Sequence, residues 1–367
     1  MKYQILFILH LPPPVHGASM VGKYIHDSAV INEAFECHYI NLSTANDLTD
    51  IGRISLRKIL KYIRLIRDIF IAVKKFKPQL VYITPNACGG AFYKDFLIVE
   101  MLKMMRCKIV AHYHNKGIST RQDKLLDNIL YRKFFKGIKI ILLSERLYSD
   151  VQKYVNTKNI FYCPNGIPPL TVDTLKGRSN RVVHLLFLSN LIIEKGVLVL
   201  LDALKIIKDK GLSFICDFVG DETNEINAAR FCNEVSERGL SDVVVYHGRK
   251  YGEEKEIFLN QADVFVFPTY YHNECFPLVL LEAMQHGLPC VSTNEGAIAD
   301  IIDDGHTGYI VAKNDSIMLS EKIEILIKNQ DLRLKMGEAG IFKYKRYYTM
   351  DEYVKNIENI LTAAVKG

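Results

Sequence analysis

The feature that most constrains this chain is a pattern of alternation that runs, stops and starts again. Short apolar segments of strand length are followed by longer segments with apolar residues at helical spacing. The first run reads "YQILFIL", "CHYINLS", "LVYITP", "KIVAHYH", "IKIILLS" and "IFYCPNGIP" as strands, with "ASMVGKYIHDSAV", "ISLRKILKYIRLIRDIFIAVKKFKP" and "FYKDFLIVEMLKMM" as helices among them. A loop of turn formers and charges, Pro168 to Arg181, interrupts it. The alternation then restarts with "VVHLLFLSN", "SFICDFVGD", "VVVYHG", "DVFVFPT" and "PCVST" as strands, and helices such as "GVLVLLDALKIIKDKG" between them. Regular β-α alternation implies parallel strands joined by helical crossovers, so two doubly wound α/β units are expected. At 367 residues the chain exceeds what a single core usually serves, which agrees with two. No short-period repeat suggests a solenoid.

In open parallel sheets ligands bind beyond the carboxyl ends of the strands, and two such units facing each other would make a cleft from two sets of loops. One such turn is "NECFPLVLLEAMQHGLP", Asn273 to Pro289, after the strand "ADVFVFPT". Pro277 suits the first helical position, and Gly287 and Pro289 stop the helix. Glu274 then stands ahead of the helix and Glu282 inside it. Amides at the start of the helix form an anion site, and carboxylates accept hydrogen bonds from vicinal diols. A sugar nucleotide offers both groups. Spacing alone is equally met by an acid favouring the helix dipole and an exposed helical glutamate. A second turn, "FLSNLIIEKG", puts Lys195 and Gly196 near a helix start, where a lysine can neutralise a diphosphate. A lone lysine beside a glycine is also commonplace.

Taken together, "SNLIIEKG", "FVGD", "VVVYHG", "ADVFVFPTYYHNECFPLVLLEAMQHGLPCVST", "EGAIADII" and "DGHTGYIV" resemble, in order and spacing, the C-terminal domain of retaining GT-B glycosyltransferases of family 4. The likeness spans about Leu185 to Val311 and centres on the E-x7-E signature. It implies a GT-B fold of two Rossmann-like doubly wound sheets facing across a cleft. The N-terminal half is similar in kind through "PPPVHGAS", "AHYHN" and "CPNGIP". The resemblance carries roles onto particular positions. Glu282 would bind the ribose hydroxyls, and Glu274 would orient the donor sugar. Amides of Cys275, Phe276 and Leu278, around Pro277, would hold phosphate or sugar. Lys195 would bind the diphosphate and help it depart. His114 would stand near the sugar on the acceptor side, and Gly17 would let backbone approach the diphosphate. Tyr246, Gly248 and Arg249 lie where the base is held. The chain departs from the pattern at Ser189 and Asn190, where an arginine is common, at Cys275 within E-C-F-P, and at His16-Gly17-Ala18 in the first loop.

His112 and His114, two apart on a strand, point to the same side, so His112 is the fallback for the catalytic assignment. Two histidines could begin a metal site, but no third ligand accompanies them, and the resemblance implies no metal and no cofactor beyond the substrate. The eight cysteines are dispersed without C-x-x-C spacing, which suggests neither zinc nor disulfides and favours a reducing cytoplasm.

Charge divides the chain. Residues 1–170 hold 25 Lys and Arg against 12 Asp and Glu, or +13, and the remainder holds 22 against 29, or −7, which together make the net +6. Much of the excess lies in "ISLRKILKYIRLIRDIFIAVKKFK". Its apolar residues at 54, 56, 59, 60, 63, 66, 69, 70 and 73 predict a stripe packed on the sheet, with a basic face left to solvent. That face would also suit anionic lipid headgroups. Nucleic acid is disfavoured, because no binding module accompanies the charge. The N-terminus reads as a buried strand rather than a signal peptide, and no apolar stretch is long enough to span a membrane.

The expected organisation is an acceptor-side domain over 1–170, a nucleotide-sugar domain over 171–340 and terminal helices over 341–367 that cross back to the first domain. The resemblance implies a retaining transferase that uses a UDP- or GDP-sugar and a glycan or lipid-linked acceptor in cell-surface polysaccharide synthesis. Its expected place is the cytoplasm, with contact to the inner membrane face as a further option. The alternatives are a non-catalytic nucleotide-sugar-binding partner of a glycan assembly complex and a GT-B nucleotide-sugar epimerase.

Overall fold

The structure is a computed structural model that describes residues 2–13, 17–43, 56–170 and 182–367. His16 and residues 171–181 of the expected linker lie outside the described residues. The chain divides into two compact units, residues 1–166 with 350–367, and residues 167–349.

The first unit begins β1 (Gln4–Leu9), α1 (Gly17–His26), α2 (Ala29–Ala34), β2 (Glu36–Asn41), α3 (Leu56–Phe76) and β3 (Leu80–Ile83). It continues α4 (Gly89–Met104), β4 (Ile109–His112), α5 (Leu125–Phe135), β5 (Lys139–Leu142), α6 (Tyr148–Val151) and β6 (Ile160–Tyr162). The strands form one parallel sheet in the order β2-β1-β3-β4-β5-β6. Every residue of β3 and β4 is buried, as is β1 after Gln4. Strands covered on both faces by helices must be apolar throughout, which is why these segments read as runs rather than as alternation.

The second unit runs β7 (Val183–Leu188), α7 (Val197–Asp209), β8 (Phe214–Val219), α8 (Ala228–Glu237), β9 (Val244–Tyr246), α9 (Glu253–Gln261) and β10 (Val264–Phe267). Then follow α10 (Leu278–Gln285), β11 (Cys290–Thr293), α11 (Ile298–Ile301), β12 (Gly308–Val311), α12 (Ser316–Lys328) and α13 (Gln330–Tyr347). Its parallel sheet has the order β12-β11-β10-β7-β8-β9. Successive strands move to one side of β7 and then, from β10, to the other. The gap between the ends of β7 and β10 is therefore the topological switch point, where such sheets open a crevice. The last helix, α14 (Met350–Lys366), belongs to the first unit and buries Tyr353, Val354, Ile357 and Leu361 there.

The long basic helix departs from expectation. The residues that α3 buries are Leu65, Ile69, Ala72 and Val73. Leu56, Ile59, Leu60, Ile63 and Phe70, most of the stripe expected to face the core, are exposed instead. The helix carries two apolar faces, and periodicity could not tell which one the sheet would take.

Candidate functional site

The switch point of the second unit gathers the signature residues. After β7 the chain makes a short 3-10 turn, Ile193–Lys195, and Gly196 leads into α7. After β10 it reaches Glu274 and α10. Lys195 and Glu274 are 79 residues apart in sequence, yet Lys195 Nζ donates to Glu274 Oε2 at 2.5 Å. Their side chains are only 16% and 10% exposed, so the pair is largely withdrawn from water. The ammonium also sits over the rings of Tyr271, at 4.7 Å, and Phe267, at 5.4 Å. A cation held against aromatic faces in a partly dry site keeps more of its field than one in water.

The turn that carries Glu274 is held from behind. The Glu274 amide donates to the Tyr271 carbonyl at 2.8 Å, and the Cys275 carbonyl accepts from the Ala297 amide at 2.8 Å. Gly296 makes this contact possible. Its φ is +55°, and a Cβ there would fall 2.4 Å from the Glu274 carbonyl oxygen and 2.7 Å from that of Cys275. Cys275 and Phe276 are buried, the latter with its ring in a T-shaped contact with that of Tyr348.

Pro277 is not the first helical residue, as expected, but the residue that caps the helix. Its ψ of 117° is extended, and Leu278 opens α10. Proline has no amide to lose, so the shift leaves the Leu278 and Val279 amides as the first two without an intrahelical carbonyl. Glu282 lies just over one turn further in. Its Oε1 accepts from Lys255 Nζ at 2.7 Å, and its Oε2 is buried without a hydrogen-bond partner among the described residues. Lys255 stands on α9, and nothing in the sequence pointed to it. Beside it Glu256 lies 2.7 Å from the buried His286 Nε2, and burial pushes the Glu256 carboxyl above its usual range.

The residues expected near the base form a second group around Gly220 and Asp221, just past β8. The Tyr246 hydroxyl donates to the Gly220 carbonyl at 3.0 Å, and burial pushes that phenol up to about 12. The Gly248 carbonyl accepts from the Gly220 amide at 3.0 Å. Arg249 pairs with Asp221 at 3.1 Å in an exposed position, a contact worth about 0–1 kcal/mol. Asn190 Oδ1 accepts from the Asp221 amide at 3.3 Å, which ties the turn after β7 into the same group. Gly220 is required there, since a Cβ would stand 1.8 Å from the Ser189 carbonyl oxygen. Sequence reasoning quoted Gly220 and Gly296 within motifs and gave neither a role. The signal was a glycine beside each motif acid, and its meaning is close backbone approach.

In the first unit, Gly17 is the exposed first residue of α1, and a Cβ there would meet nothing within 4 Å. His112, the fallback for the catalytic assignment, is fully buried, and its Nδ1 lies 2.5 Å from the Tyr82 hydroxyl. Burial, and next the neighbouring His114, hold its imidazole well below the usual histidine range. It is a core histidine. His114, two residues past the end of β4, is half-buried, with its ring centroid 4.1 Å from that of His112. Next to it Asn115 Oδ1 accepts from the Ala87 amide at 2.8 Å, and its Nδ2 donates to Asn86 Oδ1 at 3.3 Å. Asn86 in turn donates twice to Asp95 Oδ2, from its amide and its Nδ2, both at 2.8 Å. Burial raises the Asp95 carboxyl to about 6 even so. These polar residues past β3 and β4 had no sequence signal, because their meeting depends on two adjacent parallel strands ending together.

Among the described residues no three or more His, Cys, Asp or Glu side chains gather as metal ligands would. Among the same residues no helix is long and apolar enough to cross a membrane.

Comparison with known proteins follows this geometry. The family model described as "Glycosyl transferases group 1" matches residues 176–342, which contain Lys195, Glu274 and Glu282. An uncharacterised glycosyltransferase of Methanocaldococcus jannaschii is 29% identical over 284 residues, 76% of this chain and 73% of that protein. The O-antigen chain mannosyltransferase C of Escherichia coli is 25% identical over 292 residues, 75% of each chain. Among solved structures, Anabaena HepE in complex with UDP-glucose superposes with a TM-score of 0.74 at 16% identity, over 98% of this chain and 99% of that one. That likeness concerns the fold, and the fold of two parallel doubly wound sheets is GT-B. Over residues 176–342 the chain is thus similar to the glycosyl transferases group 1 family.

Proposed function

We propose that the protein is a retaining glycosyltransferase that moves a sugar from a UDP- or GDP-sugar to a glycan or lipid-linked acceptor in the synthesis of a cell-surface polysaccharide. The observation that carries this reading is the pairing of Lys195 with Glu274 at the switch point, beside the first amides of α10. A diphosphate arriving there meets a cation and amide donors, and the carboxylate it displaces from Lys195 is freed to accept from sugar hydroxyls. Glu282, with one oxygen already held by Lys255, turns its other oxygen to the ribose diol. HepE is solved with UDP-glucose, which supports a nucleotide-sugar donor, and the O-antigen relative supports a polysaccharide product.

In the reaction the bond between the anomeric carbon and the diphosphate oxygen breaks as the acceptor hydroxyl attacks from the same face. Lys195 and the α10 amides take up the charge that develops on the leaving phosphate, a contribution that matters most in a site with little water. The hydroxyl proton passes to the departing phosphate oxygen, so no side chain has to form a covalent intermediate. His114 is assigned to the acceptor side and Gly17 to the diphosphate.

The test is nucleotide release from a panel of UDP- and GDP-sugars offered with polyprenyl-linked and free glycan acceptors. Release with at least one pair, lost in Lys195→Ala and Glu274→Ala, is expected, with the product in the donor's anomeric configuration. Thermal stabilisation by a donor without release under any acceptor would point to the non-catalytic binding role instead.

A further inference from the structure

Three neighbouring helices of the first unit each carry a second apolar face that none of the described residues covers. The connections β2 to β3, β3 to β4 and β4 to β5 all advance in the same direction across the sheet, so right-handed crossovers place α3, α4 and α5 on one face. They lie side by side. The Tyr62 hydroxyl of α3 donates to the Lys94 carbonyl of α4 at 2.6 Å, and Tyr93 of α4 donates to Asp127 of α5 at 2.6 Å.

At 100° per residue, the buried Leu65, Ile69, Ala72 and Val73 of α3 lie opposite the exposed Leu56, Ile59, Leu60, Ile63, Phe70 and Ile71. On α5 the exposed Leu125, Leu126 and Ile129 lie opposite the buried Tyr131 and Phe134. On α4, Leu97 and Met104 are exposed on the side away from Ile98 and Leu102. Exposure is large, 74% at Leu56 and 77% at Leu125. Single exposed leucines are ordinary, but a row of them along adjacent helices is not.

Cations frame this row. In α3 seven Lys and Arg stand against one Asp, seven minus one giving +6, and Arg57, Arg64, Arg67, Lys74 and Lys75 are exposed. Lys124, Arg132, Lys133 and Lys136 are exposed in and around α5. A crossover helix runs antiparallel to its strands, so the first turns of α3 and α5, where Leu56, Ile59, Leu60, Leu125 and Leu126 cluster, lie at the carboxyl edge of the sheet. That is the edge that carries His114 and Asn86.

We propose that the outer surface of the α3, α4 and α5 layer docks on an anionic lipid bilayer. Such helices lie in the plane of the interface, with apolar side chains among the acyl chains and Lys and Arg at the headgroups. A nucleic acid would make no use of the leucine row, and a second copy of the same surface would bring like charges together. Docking by this layer presents the loop edge of the first unit near the membrane, where a lipid-linked acceptor would emerge. The surface itself is argued without reference to the reaction.

The test uses the full chain and sedimentation with vesicles of phosphatidylcholine alone or mixed with phosphatidylglycerol, with no donor and no activity readout. The chain is expected to bind the anionic vesicles at least about tenfold better, and to be released by salt as headgroup attraction is screened. Each surface cation contributes about fivefold, so Arg57→Gln/Arg64→Gln should lower binding by about twenty-fivefold. Leu60→Gln/Ile63→Gln should lower it by about tenfold or more with all charges intact. Lys205→Gln/Lys210→Gln, which removes two exposed cations from the second unit, should bind as the parent does. All six residues are solvent-facing, and an unchanged melting temperature confirms folding. Absence of binding, equal binding to both vesicle types, parental binding by either α3 variant, or an equal loss in the second-unit control would overturn the proposal. Retention on immobilised polyglutamate without vesicle binding would assign the charge to an acidic protein partner and overturn it as well.

Discussion

Lys195 Nζ and Glu274 Oε2 lie 2.5 Å apart across the switch point of the second sheet, brought together by turns that follow β7 and β10. With 16% and 10% of their side chains exposed, each satisfies the other in the absence of a ligand. Removing one partner strands the other charge, whereas removing both leaves an apolar pocket. Lys195→Met should therefore destabilise the protein by about 3 kcal/mol, and Lys195→Met/Glu274→Leu should recover most of that loss. Nucleotide release should fall by about 10²–10³ in the first and stay lost in the second. Urea unfolding and a release assay run in parallel check it. A double variant that regains activity along with stability would remove Lys195 from the chemistry.

Glu282 holds Lys255 with one oxygen and keeps the other buried and unpartnered. A ribose diol bonded to that oxygen should contribute about ten- to a hundredfold in affinity, as hydrogen bonds to charged groups do. Glu282→Gln should weaken nucleotide binding by that factor. Against a deoxyribonucleotide, parent and variant should bind nearly alike. Calorimetric titration of the four pairs checks it, and an undiminished difference with the deoxy ligand would place the ribose elsewhere.

His184 on β7 and His247 after β9 both face Asp217 on β8, at 3.5 and 2.7 Å. The Asp217 carboxylate beside it raises the His184 imidazole above its usual 6.5. For Asp217 burial works upward, but the contacts with His184 and His247 outweigh it and hold the carboxyl below 3.8. A raised histidine contributes stability that is complete below pH 6.5 and lost as pH rises through the folded value; a depressed aspartate contributes stability that is lost as pH falls through its folded value. His184→Gln should thus be less stable than the parent around pH 5–6, the difference shrinking toward pH 9. Chemical unfolding of both proteins across that range is the measurement, and a difference that grows with pH would contradict the assignment.

Gly296→Ala and Gly211→Ala both put a Cβ on a glycine with positive φ, +55° and +75°. At Gly211 nothing lies within 4 Å, so only the left-handed penalty of about 1 kcal/mol applies. At Gly296 the Cβ meets the Glu274 and Cys275 carbonyls, which adds about 1–3 kcal/mol of overpacking and displaces the signature turn. Donor binding should fall in Gly296→Ala and hold in Gly211→Ala. Equal effects of the two on stability and on binding would show that the turn does not depend on that approach.

The local pattern of the chain was enough to determine two doubly wound parallel units, because strand and helix periods and the turns between them are properties of neighbouring residues. It also marked the turns after β7 and β10, since Lys195, Glu274 and Glu282 belong to motifs contiguous in sequence. Only the tertiary structure decided which face of α3 meets the sheet, because Leu56 and Leu65 are equally apolar and the choice rests on what packs against them. His112 and His114 share a side of the chain by spacing, yet Tyr82 on the adjacent strand takes His112 into the core. Lys255 reaches Glu282 because α9 lies beside α10, and Gly296 matters because the turn after β11 presses on the turn after β10. Such relationships join elements that are distant in sequence, and strand order and crossover hand, not composition, bring them into contact.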